Sequence, residues 1–412
     1  MDASSANPVL GTGVAWHRCA RRFSAICRLV VATAALFTAQ PGFSQIDPYH
    51  RNLLQLGYDQ PIDGQGPQGI YAYYYYNNPK IAGTNIALRL AIAPVYVDGE
   101  LGLRQLLSPT TDVGLGLYGG AYGDNFYEVR QGNYRRTESF DGHGGGTSLS
   151  VYQLINPGML VPLSAVTRGG FRYSVYKHTS DTTDEFETPD DRPMPFVRAG
   201  LRLAGKEPIL YPDLGLEVSA WYEHQWRLND GAYGFNQDRR VNDRSDLYWA
   251  YAGMDYSWTN SGHKVSFAGT AGGSEDADRF SAWRLGGVLP LVAEFPLILP
   301  GYFYQEITAK RFLHLHASYL FPLVPSGRLQ FRVEAASALL DYLEEFEQPD
   351  RWQTGVGGGL TFTPQNKICR VVLRYGYGFG AIRDDGDKGA HSVGLLFQYD
   401  FEQHKNWRRN AQ

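Results

Sequence analysis

Apolar and polar side chains alternate along most of this chain, in segments of about ten residues. Because successive side chains of a β-strand point to opposite faces, the alternation predicts strands with one apolar and one polar face. The clearest segment is 368–380, with aliphatic and aromatic residues on one face and mainly arginine and glycine on the other. The same pattern recurs over 195–204, 310–321 and 328–336.

A polar face made of small and basic groups distinguishes two all-β architectures. A soluble sandwich would bury its apolar face and rarely expose only glycine and arginine outside. In lipid every backbone polar group must be paired, so a sheet closes into a barrel with its apolar face outward. The pattern therefore favours a transmembrane antiparallel β-barrel. About fifteen segments can be counted, and because single-chain bacterial barrels favour even numbers, we predict sixteen strands, with fourteen as the alternative.

The connections between these segments alternate in length. In barrels of this class short turns face the periplasm and long loops face outward. One long loop, 278–306, is apolar, contains three prolines and fits neither a helix nor a strand. We predict that it is extracellular and folds into the mouth or lumen of the barrel. The short connections are 108–111, 205–212, 259–262, 324–327 and 364–367, and the long ones are 123–145, 179–193, 229–243, 272–305 and 339–352.

The ends of the chain predict its domain organisation. Basic residues precede an apolar run at 29–39, and small residues follow, which is typical of a secretory signal peptide over 1–45. The alternative is a buried helix of a cytosolic domain. We predict a periplasmic lead-in over 46–68, the barrel over 69–401 and a disordered polar tail over 402–412. Cleavage would leave Cys369 as the one thiol, so no internal disulfide is expected.

Composition excludes some functions. The net charge of −4 does not suggest a nucleic-acid partner. The sequence contains no uninterrupted run of 18 or more apolar residues, so no transmembrane helix is predicted. The abundant aromatics, which gather near segment ends, agree with the interface girdles of a barrel in the cell outer membrane.

The predicted inward face is rich in arginine, with several glutamates among it. Such a lumen could attract anions. Alternatively, the arginines pair with carboxylates and loop carbonyls and hold the loop in place. The residues predicted to line the lumen are Arg198, Arg202, Arg332, Glu334, Arg370 and Arg374.

No catalytic, cofactor or metal site is predicted, and we expect no enzyme activity. The glycine-rich segment 141–146 precedes a strand rather than the helix that a phosphate loop needs, so we interpret it as a flexible loop end. His314 and His316 lie on one strand face and could chelate a metal, but no third ligand is evident, and polar lumen lining is the favoured interpretation. Cys369 is expected to face lipid.

The last strand resembles the C-terminal targeting signal of outer-membrane barrels. It ends with a glycine and then aromatic residues at a spacing of two, namely Gly394, Phe397, Tyr399 and Phe401. The resemblance implies that the cell's barrel-assembly machinery recognises this chain for its own insertion. Many such barrels end here, whereas this chain continues.

From residue 278 onward the sequence resembles the bacterial surface antigen superfamily. The matching motifs are Phe280-x-x-x-Arg284-Leu285-Gly286-Gly287, Pro300-Gly301-Tyr302 and the glycine-rich 355–360. The closing segments RVVLRYGYGFG and HSVGLLFQYDF also fit. The superfamily includes the barrel of the outer-membrane assembly machinery, two-partner-secretion transporters and patatin-fused barrels. The resemblance covers about the last 125 residues, and residues 46–277 share only barrel character.

The resemblance implies a plug. In that family the sixth extracellular loop enters the lumen, and an arginine at its tip contacts an acidic residue on the wall. Here Pro300 stands at the position of that arginine, and Glu334 matches the acidic partner. We hypothesise that Arg284, sixteen residues earlier in the loop, supplies the missing contact. The family also implies weak pairing between the first and last strands.

A second departure concerns the periplasmic POTRA domains of the family, which the predicted lead-in cannot hold. We therefore expect a bare barrel with a role in outer-membrane protein assembly or in polypeptide or lipid translocation. The alternatives are a passive, anion-leaning porin-like channel and a structural or anchoring barrel. Expected partners are outer-membrane lipid, lipopolysaccharide and a periplasmic or outer-membrane protein.

Overall fold

The predicted sixteen-stranded closed barrel is confirmed by a computed structural model, which describes residues 49–411 except 124, 206, 259, 292, 384 and 385. Consecutive strands pair antiparallel, and the last strand pairs with the first. The strands are β1 Arg51–Pro61, β2 Gly69–Asn78, β3 Ile86–Ile92, β4 Tyr96–Ser108, β5 Thr111–Gly120, β6 Phe140–Leu154, β7 Leu163–His178, β8 Arg192–Gly205, β9 Leu214–Trp226, β10 Arg244–Trp258, β11 His263–Glu275, β12 Ile307–Pro322, β13 Leu329–Tyr342, β14 Trp352–Phe362, β15 Cys369–Ile382 and β16 Lys388–Asp400.

Few residues lie in other elements. A three-residue strand, Trp283–Leu285, pairs with the start of β12, and one helix, α1, spans Phe401–Ala411. No helix among the described residues is long and apolar enough to cross a membrane. The remaining elements are the strands Val129–Arg130, Asn133–Tyr134, Phe186–Glu187, Ala232–Phe235 and Arg239–Arg240 and the 3-10 helices Ile81–Gly83 and Arg136–Glu138.

The outward face of the barrel is apolar. Leu117 is 69% exposed, Leu373 is 55% exposed and Phe267 is 51% exposed, each on a strand whose next residue is turned away. A contiguous band of exposed apolar side chains is unusual for a protein in water, and it is the surface that lipid-facing strands present. The predicted orientation of the alternating faces is thus observed.

Most connections alternate in length, as expected, although the connection between β3 and β4, residues 93–95, is short and lies at the end that holds the long ones. One end of the barrel, the short-turn end, holds both chain termini of the sheet, and the other, the long-loop end, holds the long connections. Among the connections at the long-loop end, residues 276–306 are the sixth. We call this segment the long loop and residues 299–303 its tip.

The predicted start of the barrel, residue 69, was wrong. Residues 51–61, predicted as part of the lead-in, form β1, which closes the sheet. The alternation did not predict this strand, because the adjacent Leu53 and Leu54 interrupt the pattern and because the strand ends at a proline, Pro61. The predicted signal peptide lies outside the described residues.

Two further expectations are corrected. The glycine-rich 141–146 lies within β6 rather than in a loop, and His143 accepts a hydrogen bond from the Tyr122 backbone nitrogen (3.1 Å). The tail is helical, because Asp400 caps it by accepting bonds from the backbone nitrogens of Glu402 (2.9 Å) and Gln403 (3.0 Å). Acidic Glu402 at the start of α1 and basic residues at its end also suit the helix dipole.

The seam between β1 and β16 is fully paired. Leu53 lies opposite Asp400 and Pro61 opposite Ser392, with nine paired positions between and including them. The β1–β2 pair also has nine. The weak first-to-last pairing that the resemblance implied is therefore not observed in this closed state.

Candidate functional site

Glycines on the inward face of β14 and β15 make room for the tip of the long loop. A Cβ atom added to Gly376 would lie 2.7 Å from the Gly301 backbone nitrogen and 2.9 Å from the Pro300 Cβ. A Cβ on Gly355 would overlap the Pro300 carbonyl oxygen, and one on Gly378 would lie 2.7 Å from the Tyr302 ring. The arginine–glycine face predicted from sequence thus has a physical reason, since only glycine permits this backbone approach.

We call Gly355, Gly376 and Gly378 the glycine seat, and the residues of the tip fit it. Gly301 has a φ of +85°, which L side chains rarely adopt, and a Cβ there would overlap the Gly378 backbone nitrogen. Tyr302 is buried, and its hydroxyl donates to the Gln353 Oε1 atom of β14 (2.8 Å). Gln353 in turn donates to the Tyr342 hydroxyl of β13 (3.0 Å). Tyr302 therefore anchors the tip to two neighbouring strands.

A buried ion pair holds the tip from the long-loop end. Arg383, which follows β15, lies 3.1 Å from Glu306 at the end of the long loop. Its guanidinium also donates to the Gly301 carbonyl oxygen (3.0 Å) and lies 3.7 Å from the centre of the Phe303 ring. Glu306 further accepts a bond from the Phe303 backbone nitrogen (2.7 Å). Arg383, which sequence reasoning missed, therefore clamps the tip by charge, hydrogen bond and ring contact at once.

The hypothesised contact between Arg284 and Glu334 is wrong. Arg284 lies over the Phe126 ring at 4.0 Å and donates to Gln305 Oε1 (2.9 Å). It is at the root of the loop, beside the start of β12, whereas Glu334 pairs with Ser318 further along that strand. In the observed ion pair, Glu306 of the long loop supplies the carboxylate and Arg383, in the connection after β15, supplies the guanidinium. This is the reverse of the arrangement that the resemblance implied.

Glu334 is instead a centre of charge within the wall. It lies 2.9 Å from Arg332, 3.4 Å from Arg374 and 3.1 Å from His316. The second candidate histidine, His314, contacts the Ile298 carbonyl oxygen of the long loop through Nε2 (2.8 Å). Within the described residues, no His, Cys, Asp and Glu side chains cluster so as to hold a metal ion.

The remaining lumen arginines are also engaged. Arg198 lies 2.6 Å from Glu223, and Arg202 lies 2.8 Å from Glu217. Arg202 reaches Glu294 of the long loop as well (2.8 Å). These contacts agree with the structural alternative, in which arginines pair with carboxylates and hold the loop.

The two glycines at the start of the loop shape its own fold. Gly286 forms a bridge with Ile298, and its carbonyl accepts from the Leu299 backbone nitrogen (2.7 Å). The Gly287 backbone nitrogen donates to the Phe303 carbonyl (2.8 Å). A Cβ on either would overlap backbone oxygens of the tip region. The Gly-Gly pair therefore permits the two arms of the loop to pack against each other.

The root of the loop is fixed by a second charged cluster. Arg279 lies 2.9 Å from Glu128, donates to Thr308 Oγ1 (2.9 Å) and donates to the Tyr127 carbonyl oxygen (2.7 Å). Asp278 forms a buried pair with Arg227 (2.9 Å). The long loop is thereby tied to two other connections at the same end of the barrel.

This cluster predicts acid sensitivity. Burial works to raise the pKa of Glu128, but Arg279, Arg239 and Arg130 outweigh it, so its folded pKa lies below the ordinary value of 4.5. Its stabilising contribution is therefore complete above that ordinary value and is lost as the pH falls through the lower folded pKa. We expect the root of the loop to stay protected from protease at pH 5 and to loosen in stronger acid.

Limited proteolysis across pH, with an acid-stable protease, measures this. Glu128→Gln should make protection of the loop root weaker at neutral pH and almost independent of pH. An unchanged pH profile in that variant would remove Glu128 from the account.

A substitution on the glycine seat should displace the tip. Gly376→Val introduces a residue that is favourable in strands, but its side chain would occupy the space that Gly301 and Pro300 fill. We expect the tip to become accessible to protease while the barrel still folds. Gly169→Val is the matched control, because a Cβ on Gly169 of β7 meets no atom within 4 Å. Equal protection of the tip in both variants would contradict the seat.

The residues of the predicted targeting signal lie on β16 and the start of α1. Gly394 lies against Asp59 of β1, where a Cβ would be 2.7 Å from a carboxylate oxygen. Phe401 packs on Tyr399 with ring centres 4.8 Å apart. Their role in targeting stays a prediction.

These features define a class of protein: a closed sixteen-stranded β-barrel with an apolar outer face and a long loop whose tip packs against glycines of β14 and β15. No protein-family model matches the sequence, and a comparison with curated proteins finds no match.

Solved structures share the fold. CdiB from Acinetobacter baumannii has a TM-score of 0.57 over 86% of this chain and 60% of its own, with 11% identity. CdiB from Escherichia coli has a TM-score of 0.52 over 88% of this chain and 68% of its own, with 13% identity. This chain thus spans about three fifths of the length of the first of these proteins. The similarity shows a common barrel fold.

Proposed function

We propose that this chain is a gated outer-membrane barrel of the surface antigen type, which acts in the translocation of a polypeptide or lipid or in outer-membrane protein assembly. The long loop is its closed gate, folded into the lumen. The observation that carries the proposal is the tip, seated on inward-facing glycines and clamped by Arg383 and Glu306. Inward-facing glycines that accommodate the tip of a loop favour a gated barrel over a passive pore.

Three further observations support this proposal. The chain shares its fold with two CdiB proteins. The motifs from Phe280 to Tyr302 resemble the superfamily, and the long loop is the sixth at its end of the barrel, as in that family. The apolar outer face and the basic, apolar N-terminal segment suit an exported chain in the outer membrane.

The charge pairing argues against an anion-selective channel. A row of free arginines would create a positive field, but Arg198, Arg202 and Arg374 each lie beside a glutamate. Nor does any feature of the described residues suggest a catalytic site, so we propose that the protein is not an enzyme and binds no cofactor.

Conductance tests the gate. The purified full-length protein in planar bilayers should be closed for most of the time. Steady open steps of wild-type protein, as from a porin, would overturn the gated barrel and favour the channel.

Depletion in the native cell tests the role. If the chain acts in assembly, depletion should lower the levels of other outer-membrane barrels. If it acts in translocation, those levels should stay constant while one surface or secreted component is lost. A protein that co-purifies with the barrel and carries a periplasmic domain would identify the partner, and the absence of any change on depletion would sink both roles.

A further inference from the structure

One turn at the short-turn end does not stay beside its own strands. Residues 207–213 connect β8 and β9, whose sheet neighbours are β7 and β10. The seam strands β1 and β16 lie half-way round the sheet from them. Contacts between this turn and the seam must therefore cross the barrel. We call this segment the crossing turn.

The crossing turn contacts both strands of the seam. Glu207 lies 3.2 Å from Arg51 of β1. The Pro208 carbonyl oxygen accepts from Gln55 Nε2 (3.1 Å), and the Leu210 backbone nitrogen donates to Gln398 Oε1 (2.9 Å). Gln55 and Gln398 face each other across the seam and are themselves hydrogen-bonded (3.0 Å). The turn thus binds a buried amide pair that joins the first and last strands.

Basic residues of other strands hold the same turn. Arg370 of β15 donates to the carbonyl oxygens of Leu210 and Tyr211, the latter at 3.2 Å. Arg332 lies over the Tyr211 ring at 4.6 Å, and Lys264 of β11 donates to the Tyr211 carbonyl (3.2 Å). Strands from three parts of the wall therefore converge on one short segment, far more than a connecting turn requires.

The crossing turn and the long loop meet inside the molecule. Leu210 is 1% exposed and belongs to the same apolar cluster as Leu289 of the long loop, together with Tyr71, Val372 and Leu396 of the wall. Next to them, Tyr73 donates to the Leu291 carbonyl oxygen of the loop (3.0 Å). Two connections from opposite ends of the barrel thus share one buried contact.

We propose that the crossing turn is a second closure of the barrel, on the short-turn side, and that it clamps the β1–β16 seam. The lumen then opens only when both the long loop and the crossing turn have left their seats. The fully paired seam agrees with this, because the turn hydrogen-bonds to the glutamines on both of its strands. This inference deepens the proposed gated barrel and rests on it, but the position of the turn can be tested by itself.

Cross-linking tests the position. In a Cys369→Ser variant that also carries Glu207→Cys and Arg51→Cys, a short, disulfide-containing bis-maleimide should join positions 207 and 51 in membranes. Met159→Cys in the β6–β7 connection, paired with Arg51→Cys, is the matched control, because Met159 is exposed and lies in a different turn. Failure of the 207–51 pair to react above this control would overturn the crossing, whatever the protein transports.

Conductance of the same full-length protein tests the closure. Leu210→Ser combined with Arg370→Gln loosens the turn, and Arg383→Met loosens the tip of the loop. We expect each change alone to leave the barrel mostly closed and the combination to raise the open probability at least about tenfold over either. Cross-linking position 207 to position 51 in the Arg383→Met, Leu210→Ser, Arg370→Gln protein should hold it closed until the linker is reduced.

Two outcomes contradict the second closure. Either Arg383→Met alone opens the barrel as fully as the combination, or the combination remains as closed as wild type. Both differ from failure of the gated barrel itself, in which the wild-type protein is already steadily open.

Discussion

Replacing Arg383 by methionine is expected to release the tip of the long loop. Methionine keeps much of the volume but removes the partner of buried Glu306, the bond to the Gly301 carbonyl and the contact with Phe303. Breaking a buried ion pair on one side costs about 3–5 kcal/mol, because a charge is left uncompensated. Limited proteolysis and hydrogen exchange of the tip in membranes measure the release.

The control for this variant is an exposed ion pair at the same end of the barrel. Lys388 pairs with Asp350, and both side chains are about half exposed. Lys388→Met should therefore change tip protection little, since exposed pairs contribute about 0–1 kcal/mol. Adding Glu306→Leu to Arg383→Met should restore part of the protection by removing the orphaned charge. A tip as protected in Arg383→Met as in wild type would show that this pair does not hold it.

Replacing Glu334 by glutamine is expected to weaken the wall without releasing the loop. The amide keeps the shape and some hydrogen bonds, but Arg332 and Arg374 then lose the carboxylate that they share, and only Asp59 remains to offset the charge of Arg374. A loss of about 3–5 kcal/mol corresponds to a fall in unfolding temperature of roughly 5–10 °C. The shift from folded to unfolded mobility on heating, followed by gel electrophoresis, measures it.

Glu294→Gln is the matched control, because Glu294 is half exposed and its partners Arg198 and Arg202 each keep another glutamate. It should lower the unfolding temperature little. If Glu334→Gln instead exposed the tip to protease at an unchanged unfolding temperature, Glu334 would be a loop ligand after all, as the resemblance had implied.

Part of this architecture could be predicted from the amino-acid sequence, and part could not. Alternation predicted strands from residue 69 onward, and they are observed. The orientation of the barrel in the membrane, which we inferred from the lengths of the connections, stays a prediction. Arginine and glycine on one face of 368–380 indicated an unusual inner surface, but the reason for the glycines became clear only with Pro300 and Gly301 seated on them. A glycine in sequence does not reveal which backbone approaches it.

The error at Glu334 came from the family resemblance. Glu334 and Arg284 were joined because a motif in a family joins an acidic wall residue to a loop arginine. In this chain Pro300 removes that arginine, and the compensating charges stand elsewhere, at Glu306 and Arg383, in positions that no motif marks. The first strand was missed for a local reason, since adjacent leucines hide its alternation.

The sequence by itself determined the class of fold. A period of two, an apolar face that only lipid or a core can satisfy, and connections of alternating length require a closed antiparallel sheet, because each property is local or additive along the chain. Tertiary structure alone decided which charges meet. Arg383 and Glu306 are 77 residues apart, and Leu210 and Gln398 are 188 apart. Contacts of this kind depend on how distant segments of the chain pack together in a closed barrel, which no local pattern encodes.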